Sequence, residues 1–443
     1  MYYIVQPHSE HDKPIRKRLL AALSPLLVAA LAACGNVSPA EAPSATPERF
    51  DYSLTVDVTP EMDRAEVEAL YDGKVVVWRP EAGFALLGLQ DQGGLQVQGS
   101  NKNKKAFSAP EVSANGVTGN GRSAWSGGRS AWSGGRSAWS GGRSAWSGGR
   151  SAWSGGSPTT FAENLGYWDQ VDLPEAQNIA TRRGAGVKVA VIDTGLDLSH
   201  PAFAGKLAPR SEWKDYVDGD TYPQEVYGDN YGHGTGVADI IVQVAPNVTI
   251  LPIRVLGPDG SGDTTDVVAA IDHAIRVGAD IINLSLGTEG EEKALKELVK
   301  YARKQDVLLV ASAGNNAQEN ILYPARHSGE VLSIGSVDRY DDISSFSAYG
   351  KDLSLMAPGE YIYTAAPDNS VAYWSGTSFA APIVTGAAAL ALGETATYPK
   401  LKVKDVAKKL SDKSSDISGR GRNKDRSAKQ RLDIDDVLQE LFK

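Results

Sequence analysis

The sequence predicts a doubly wound α/β fold, a parallel sheet with helices on both faces, preceded by a small α+β unit. Apolar runs starting at Val187, Thr249, Asp280, Val307 and Val331 alternate with helical patterns at Thr235, Asp263, Glu291 and Ser378. That alternation is how parallel strands joined through helices read in a chain. Upstream of it, Phe50 to Leu89 mixes strand-like runs (DYSLTVDV, KVVVW, FALLGL) with one helical stretch.

Taken in chain order, the first element is a basic segment, Lys13 to Arg18, followed by a fifteen-residue apolar stretch from Leu19 to Ala33. This suits the core of a secretory signal and is short for a membrane span of about 20 residues. The run ends Leu31, Ala32, Ala33, Cys34, which resembles the bacterial lipoprotein processing box. Cys34 would then become the lipidated first residue of a protein tethered at a membrane surface; the alternative is an ordinary signal peptide that contains a cysteine. Cys34 is also the only cysteine, so an internal disulfide is excluded. Residues 39 to 47, rich in Ala, Pro, Ser and Glu, read as a flexible stalk. In the α+β unit that follows, Thr59 is the expected helix cap and Pro60 the expected first helical residue. At about forty residues the unit is marginal as an independent fold.

Five perfect copies of RSAWSGG run from Arg122 to Gly156. Their Gly and Ser content reads as a flexible linker with an end-to-end distance on the order of 30 Å. One aromatic per repeat, with no second apolar position, argues against a coiled coil. Trp125, Trp132, Trp139, Trp146 and Trp153, with the repeat arginines, either contact an anionic or glycan surface or are a repeat expansion with no binding role.

Within the α/β region four segments carry chemistry. The run Val187 to Ile192 reads as a buried strand that ends at Asp193, with Thr194 and Gly195 turning the chain at the sheet rim. His233 lies between Gly232 and Gly234, just before a helix expected near Thr235. Asn315 follows the strand at Val307 to Val310. Ser378 opens the apolar helix Phe379 to Leu392, whose first turn is expected to hold Pro382. A hydroxyl there is close to free backbone N–H groups. Together these supply an aspartate to orient an imidazole, a histidine to take a proton, a serine to attack a carbonyl and an amide to meet the oxyanion, with the Ser378 N–H as a second donor. Each piece has a plain structural reading taken singly, as a strand-ending turn, a loop histidine or a helix cap. His200, His273 and His327 are expected to be surface or packing residues, and Asp197 a turn residue.

These four segments, VAVIDTG, GHGTGVA, ASAGNN and SGTSFAAP, resemble those of the subtilisin-like serine proteases in residues and in order. The likeness runs from about Asn164 to Leu441 and includes LPIRVL, IINLSLG, APG and RLDIDDV. It implies a subtilisin-like catalytic domain acting on polypeptides through Asp193, His233, Ser378 and Asn315, with no cofactor needed for the chemistry. It also implies a substrate cleft walled by Ser285, Leu286 and Gly287 on one side and by Ser312, Ala313 and Gly314 on the other, both pairing with an extended substrate backbone. The α+β unit would be a propeptide that assists folding and blocks the cleft, or else a permanent binding module. The expected organisation is a signal peptide at 1–33, a stalk at 34–49, the propeptide-like unit at 50–110, the repeat linker at 111–156 and the catalytic domain at 157–443.

Two departures from the family pattern stand out. Gly236 replaces the second histidine after His233, and Asp239 replaces a glycine one turn later, which places an extra carboxylate on that helix. The stretch from Val237 to Val248 is short, so the loop with which many relatives bind calcium is missing. Structural calcium is possible but not indicated, because Asp215 to Asp220 and Asp229 read more simply as a solvated acidic loop. The basic tract Lys413 to Arg431 reads as an exposed loop.

A net charge of −9 and a pI near 5.3 argue against bulk nucleic-acid binding. Two function classes remain: an exported endopeptidase that removes its own N-terminal region, and a catalytically silent scaffold that kept the fold.

Overall fold

A computed structural model describes residues 47–91, 100–102, 105–108, 161–419, 421–425 and 430–443. The signal stretch, Cys34 and the RSAWSGG repeats lie outside these residues.

The first unit comprises β1 (Tyr52–Asp57), α1 (Arg64–Tyr71), β2 (Lys74–Arg79), β3 (Phe84–Leu89) and β4 (Asn101–Lys102), with sheet order β2-β3-β1-β4. Its helix starts later than Thr59 and Pro60 suggest. Asp63 is the cap, its carboxylate accepting the N–H groups of Ala65 and Glu66 at 2.8 and 3.1 Å, while Thr59 closes a separate turn with Met62. β3 is buried along its whole length because both faces are covered. Ala85, Leu87 and Leu89 face a small internal core with Leu54, Val56 and Val67. Phe84 and Leu86, with Val77 of β2, join the core of the larger region. The unit is therefore not left to stand on its own small core.

β5 (Lys105–Ser108) pairs away from this sheet, as described below. The larger region continues through α2 (Leu165–Gln170), α3 (Leu173–Ile179), β6 (Lys188–Asp193), β7 (Lys214–Asp215), α4 (His233–Val244), β8 (Thr249–Arg254), β9 (Ser261–Asp263) and α5 (Thr264–Arg276). It then runs through β10 (Ile281–Leu284), α6 (Lys293–Lys304), β11 (Leu308–Ser312), β12 (Val331–Val337) and β13 (Leu355–Pro358). The hairpin β14 (Ile362–Ala366) and β15 (Ser370–Trp374), α7 (Thr377–Gly393), α8 (Val403–Asp412), β16 (Ser415–Asp416), β17 (Gln430–Arg431) and α9 (Ile434–Leu441) complete it.

The central sheet has the order β16-β17-β13-β12-β11-β10-β6-β8-β7 and is parallel except for the β16–β17 pair. Alternation in β6 divides the core: Val189 and Val191 face the layer with α4 and α7, Ala190 and Ile192 the layer with α5 and α6. α7 is apolar on all sides and buried throughout, as a helix inside a core must be. After β6 the chain builds β7 and β8 on one side and then β10 to β13 on the other. β6 thus stands where the strand order reverses, the position beyond whose carboxyl end open α/β sheets form their clefts.

The tract expected as an exposed loop, Lys413 to Arg431, is anchored at several points: β16 pairs with β17, Ile417 is buried, and Arg431 bonds to Asp341 at 3.0 Å. Asn423 is buried, accepts the Ile343 N–H at 2.7 Å and donates to the carbonyls of Asp341 and Ile417.

The docking of the first unit yields a stability prediction. Phe84→Ala should destabilise the full chain by about 3–5 kcal/mol, read as a lower thermal midpoint, whereas Leu70→Ala on the exposed face of α1 should stay within about 0.5 kcal/mol of wild type.

Candidate functional site

The carboxyl end of β6 delivers Asp193 to the sheet rim, where it is fully buried. Its Oδ1 accepts the Thr194 N–H at 2.7 Å and lies 2.7 Å from His233 Nδ1. Two glycines make that approach possible. Gly232 caps α4 with φ +100°, a conformation that suits glycine, and at Gly234 a Cβ would come within 2.1 Å of the Gly195 carbonyl. His233 is itself the first residue of α4, two earlier than expected.

The imidazole lies edge-on to Trp374 and Phe379, with ring centroids 6.2 and 5.2 Å away. Its Nε2 is buried without a hydrogen-bond partner among the described residues. Burial alone would lower the His233 pKa, but the Asp193 charge and hydrogen bond, with a further contribution from Glu225, outweigh it and raise the pKa above the ordinary histidine value.

Ser378 is the second residue of α7 and is buried. Its hydroxyl donates to the Ser285 carbonyl at 3.3 Å and not to His233 Nε2, so the Ser–His link is the one bond of the expected set that is not made. At that length the bond is weak, and a turn about Cα–Cβ releases the hydroxyl. Because α7 starts at Thr377, Pro382 falls in its second turn, not its first. Having no N–H, Pro382 leaves the Ser378 carbonyl without its helical partner, and the Ser285 hydroxyl fills the gap at 2.8 Å. The Ser285 hydroxyl is held in turn by Asn283 Nδ2 at 3.0 Å.

Asn315 is oriented by Thr377. Its Oδ1 accepts both the backbone N–H and the hydroxyl of Thr377 at 2.9 Å. The donor end, Nδ2, lies against Gly376, where a Cβ would come within 3.1 Å of it. Oδ1 is thereby fixed as the acceptor end of the amide, and Nδ2 is its donor end beside Gly376.

The two expected cleft walls differ. Ser285, Leu286 and Gly287 follow β10, and Gly287 packs against Leu322, where a Cβ would come within 2.8 Å. In the other segment Ser312 is the last residue of β11, and Ala313 and Gly314 follow it. The Ala313 N–H and carbonyl are already bonded to Ile334 and Leu322, so Ala313 does not offer its backbone for strand pairing. The backbone edge that does pair an extended segment is one that the sequence did not reveal: β9 pairs antiparallel with β5, Ser261 opposite Ser108 and Gly262 opposite Phe107. Its only trace in the sequence is the glycine-flanked GSGD that follows LPIRVLG.

Both departures on α4 are explained by the β14–β15 hairpin. A Cβ at Gly236 would meet Thr364 Cγ2 at 3.0 Å, so the hairpin occupies the space of a larger side chain. Asp239, fully buried, accepts the Thr364 hydroxyl and the Ala365 N–H, each at 2.8 Å, and Gln243 Nε2 at 2.9 Å. Burial raises its pKa against these donors.

The remaining candidates have structural partners. The Asp197 carboxylate accepts the Ser199 hydroxyl and the Asp368 N–H. His200 Nδ1 accepts the Ala202 N–H, and His273 lies 2.7 Å from the Glu212 carbonyl. Asp215 and Asp218 are bound to the buried Arg254, at 3.0 and 2.5 Å. Among the described residues no group of three His, Cys, Asp or Glu side chains converges in the manner of a metal site.

The model of the Subtilase family matches residues 184–429. The chain is 36% identical over 272 residues to the thermophilic serine proteinase of Bacillus sp. (strain AK1), covering 59% of this chain and 65% of that protein, just under two thirds of its length. It is 37% identical over 254 residues to thermitase of Thermoactinomyces vulgaris, covering 55% and 88%. With the major intracellular serine protease of Bacillus subtilis (strain 168) the identity is 38% over 223 residues, covering 47% and 69%.

The electrostatics of the Asp193–His233 pair can be measured without any turnover. Asp193→Asn removes the attraction that offsets burial, so the His233 pKa should drop below the ordinary histidine value, read by NMR titration of the ring Cε1 proton. A pKa raised in the folded state adds stability that is fully present below the unfolded value and is lost as pH rises through the folded one. The stability gap between wild type and variant should accordingly be wider at acidic than at alkaline pH.

Proposed function

This chain belongs to the subtilase family of serine endopeptidases, and we propose that it cleaves peptide bonds with Ser378 as nucleophile, His233 as general base and Asp193 as the group that orients the imidazole. The observation that carries this reading is the buried 2.7 Å contact between Asp193 and His233 Nδ1. It assigns the Nδ1 proton to the carboxylate side and leaves Nε2 as the ring's basic atom. As Ser378 Oγ bonds to the substrate carbonyl carbon, its proton passes to Nε2 and Asp193 stabilises the imidazolium. The carbonyl electron pair moves to oxygen, where Asn315 Nδ2 and the Ser378 N–H meet the negative charge. Collapse of the tetrahedral intermediate returns the proton from Nε2 to the leaving amine and leaves an acyl-enzyme on Ser378. Water then repeats the cycle, releasing the acid product and restoring the hydroxyl.

The same reading makes the enzyme self-maturing, with residues 50–110 as its propeptide. The pairing of β5 with β9 supports it, because this segment lies along the edge that an extended substrate would use. Arg49 bonds to Asp263 and Asp266 at 3.0 and 3.2 Å, and Arg79 to Asp272 at 2.5 Å, which ties the unit to β9 and α5. A cut soon after Ser108 would sever the covalent link between the first unit and the catalytic domain. The RSAWSGG repeats would then stay with the mature enzyme, while Cys34 and any lipid on it would leave with the prosegment. Before that cut, the signal stretch and a modified Cys34 would export the protein and hold it at a membrane surface.

Intact-mass analysis of the exported protein and its Ser378→Ala variant, each treated with a phosphonylating probe for activated serines, tests this reading. The expected result is a probe adduct on wild type, with a new N-terminus between residues 109 and 122, and neither change in the variant. No adduct and no truncation in either protein would favour the silent scaffold. Asn315→Ala should lower kcat by about 10²–10³ with little change in KM, since its amide acts on charge that develops only in the transition state.

A further inference from the structure

Glu225 lies in the loop between β7 and α4, fully enclosed and only 4% exposed. Five donors converge on its carboxylate. Oε1 accepts the Thr194 hydroxyl at 2.5 Å, the Gly232 N–H at 2.9 Å and the Gly234 N–H at 3.3 Å. Oε2 accepts the Thr235 N–H at 3.3 Å and the Thr235 hydroxyl. Thr194 adjoins Asp193 in the chain, and Thr235 follows His233 by two residues. Each threonine extends the network, Thr194 Oγ1 accepting the Gly234 N–H at 3.0 Å and Thr235 Oγ1 the Asp197 N–H at 2.9 Å. One side chain thus grips the turn after β6 and the start of α4 together.

The chemistry of the donor set calls for a carboxylate. An amide of the same shape has a single acceptor oxygen and would turn its own N–H groups toward some of these donors. A second buried negative charge beside Asp193 is costly unless something positive shares its surroundings. The charged and titratable groups facing it are Asp193 from β6, Asp197 from the segment after it, Tyr231 from its own loop and His233 from α4. Only His233 becomes a cation.

We propose that Glu225 is a positioning residue of the Asp193–His233 pair, a second buried carboxylate that locks the helix start against the β6 turn and so fixes where the imidazole sits. The proposal rests on the reading of Asp193, His233 and Ser378 as the reacting set. Burial pushes the Glu225 carboxyl up to about 7, against the pull of the Thr194 and Thr235 hydroxyls, with Asp193 adding to the rise. Glu225 and the Asp193–His233 pair share one hydrogen-bonded cluster through Thr194 and Gly234, so the acidic limb of activity belongs to the cluster, not to His233 alone. A charged Glu225 favours imidazolium, so a neutral residue there must move that limb to lower pH.

The test is the pH dependence of the second-order rate constant for phosphonylation of Ser378 by a peptidyl diphenyl phosphonate, measured on the exported, matured protein. Glu225→Gln should lower the acidic-limb pKa by roughly half a unit or more and the plateau rate several-fold. Glu225→Asp, which keeps the charge, should move the limb back toward wild type. A Glu225→Gln limb that coincides with wild type overturns the proposal whatever happens to the thermal midpoint, since a merely structural role moves stability and not the limb. If Glu225→Gln does not fold, Thr194→Val keeps the carboxylate but removes a donor that stabilises its charge, and should shift the limb in the same direction. An unmoved limb in that variant overturns the proposal equally. A wild type that takes no probe at any pH overturns the reacting-set reading, and this inference with it.

Discussion

A carboxylate with no access to water has to be met by donors and positive charge, and the arrangement around Asp193 follows from that requirement. Its place is fixed by β6, whose alternating side chains from Val189 to Ile192 commit both faces to packed layers and leave polar groups to the strand's ends, Asp193 at the carboxyl one. The nearest donors come from the turn it begins and from the helix that starts with His233. For the helix to come so close, Gly234 must lie against the Gly195 carbonyl, and a methyl group there would force the two apart. Sheet register, glycine placement and imidazole basicity are thus consequences of one buried charge.

Burial of polar groups is managed on the serine side by a different device. A proline inside a helix normally costs a hydrogen bond. Here the freed Ser378 carbonyl becomes the acceptor for Ser285, and the Ser285 carbonyl accepts from the Ser378 hydroxyl. This reciprocal pair joins the end of β10 to the start of α7, so the loop after β10 is held by the residue proposed as the nucleophile. Asn315 is fixed by the same helix start through Thr377. Movement of the first turn of α7 would disturb the hydroxyl, the amide and the cleft wall together.

The parts of this arrangement that could be read in the sequence are those written in contiguous residues. A buried strand ending in Asp-Thr-Gly, a glycine-flanked histidine and an apolar helix opened by Gly-Thr-Ser each carry local signals of period, cap or turn, and the helix and strand starts deduced from them lie within a few residues of those observed. Asp63 was missed as a cap because Thr59-Pro60 offers an equally good local signal, and only the turn closed by Met62 tells the two apart. Glu225 was illegible for another reason: its donors lie 7 to 31 residues away, on two elements that meet only in the fold. The meaning of Gly236 and Asp239 likewise depends on the hairpin at 362–374, more than a hundred residues downstream. Features that depend on a chain crossing leave no period to detect.

The pairing of β9 with β5 carries a further physical implication. An open strand edge is a template for any extended chain, and proteins limit that hazard by keeping such edges short or covered. β9 has only three residues, bends into α5 immediately, and is covered by the chain's own β5. Three residues of ladder are too few to hold a peptide by themselves, so on the proposed reading this edge would set direction and register more than affinity. The first unit binds by other means, through Phe84, Leu86 and Val77 packed into the layer with α5 and α6 and through the ion pairs of Arg49 and Arg79. Because that attachment lies outside the cleft, cutting the chain beyond β5 would not by itself release the unit. Release would require that the apolar contact on α5 and α6 be broken as well, so on the self-maturing reading proposed above the cut and the loss of the first unit are separate steps.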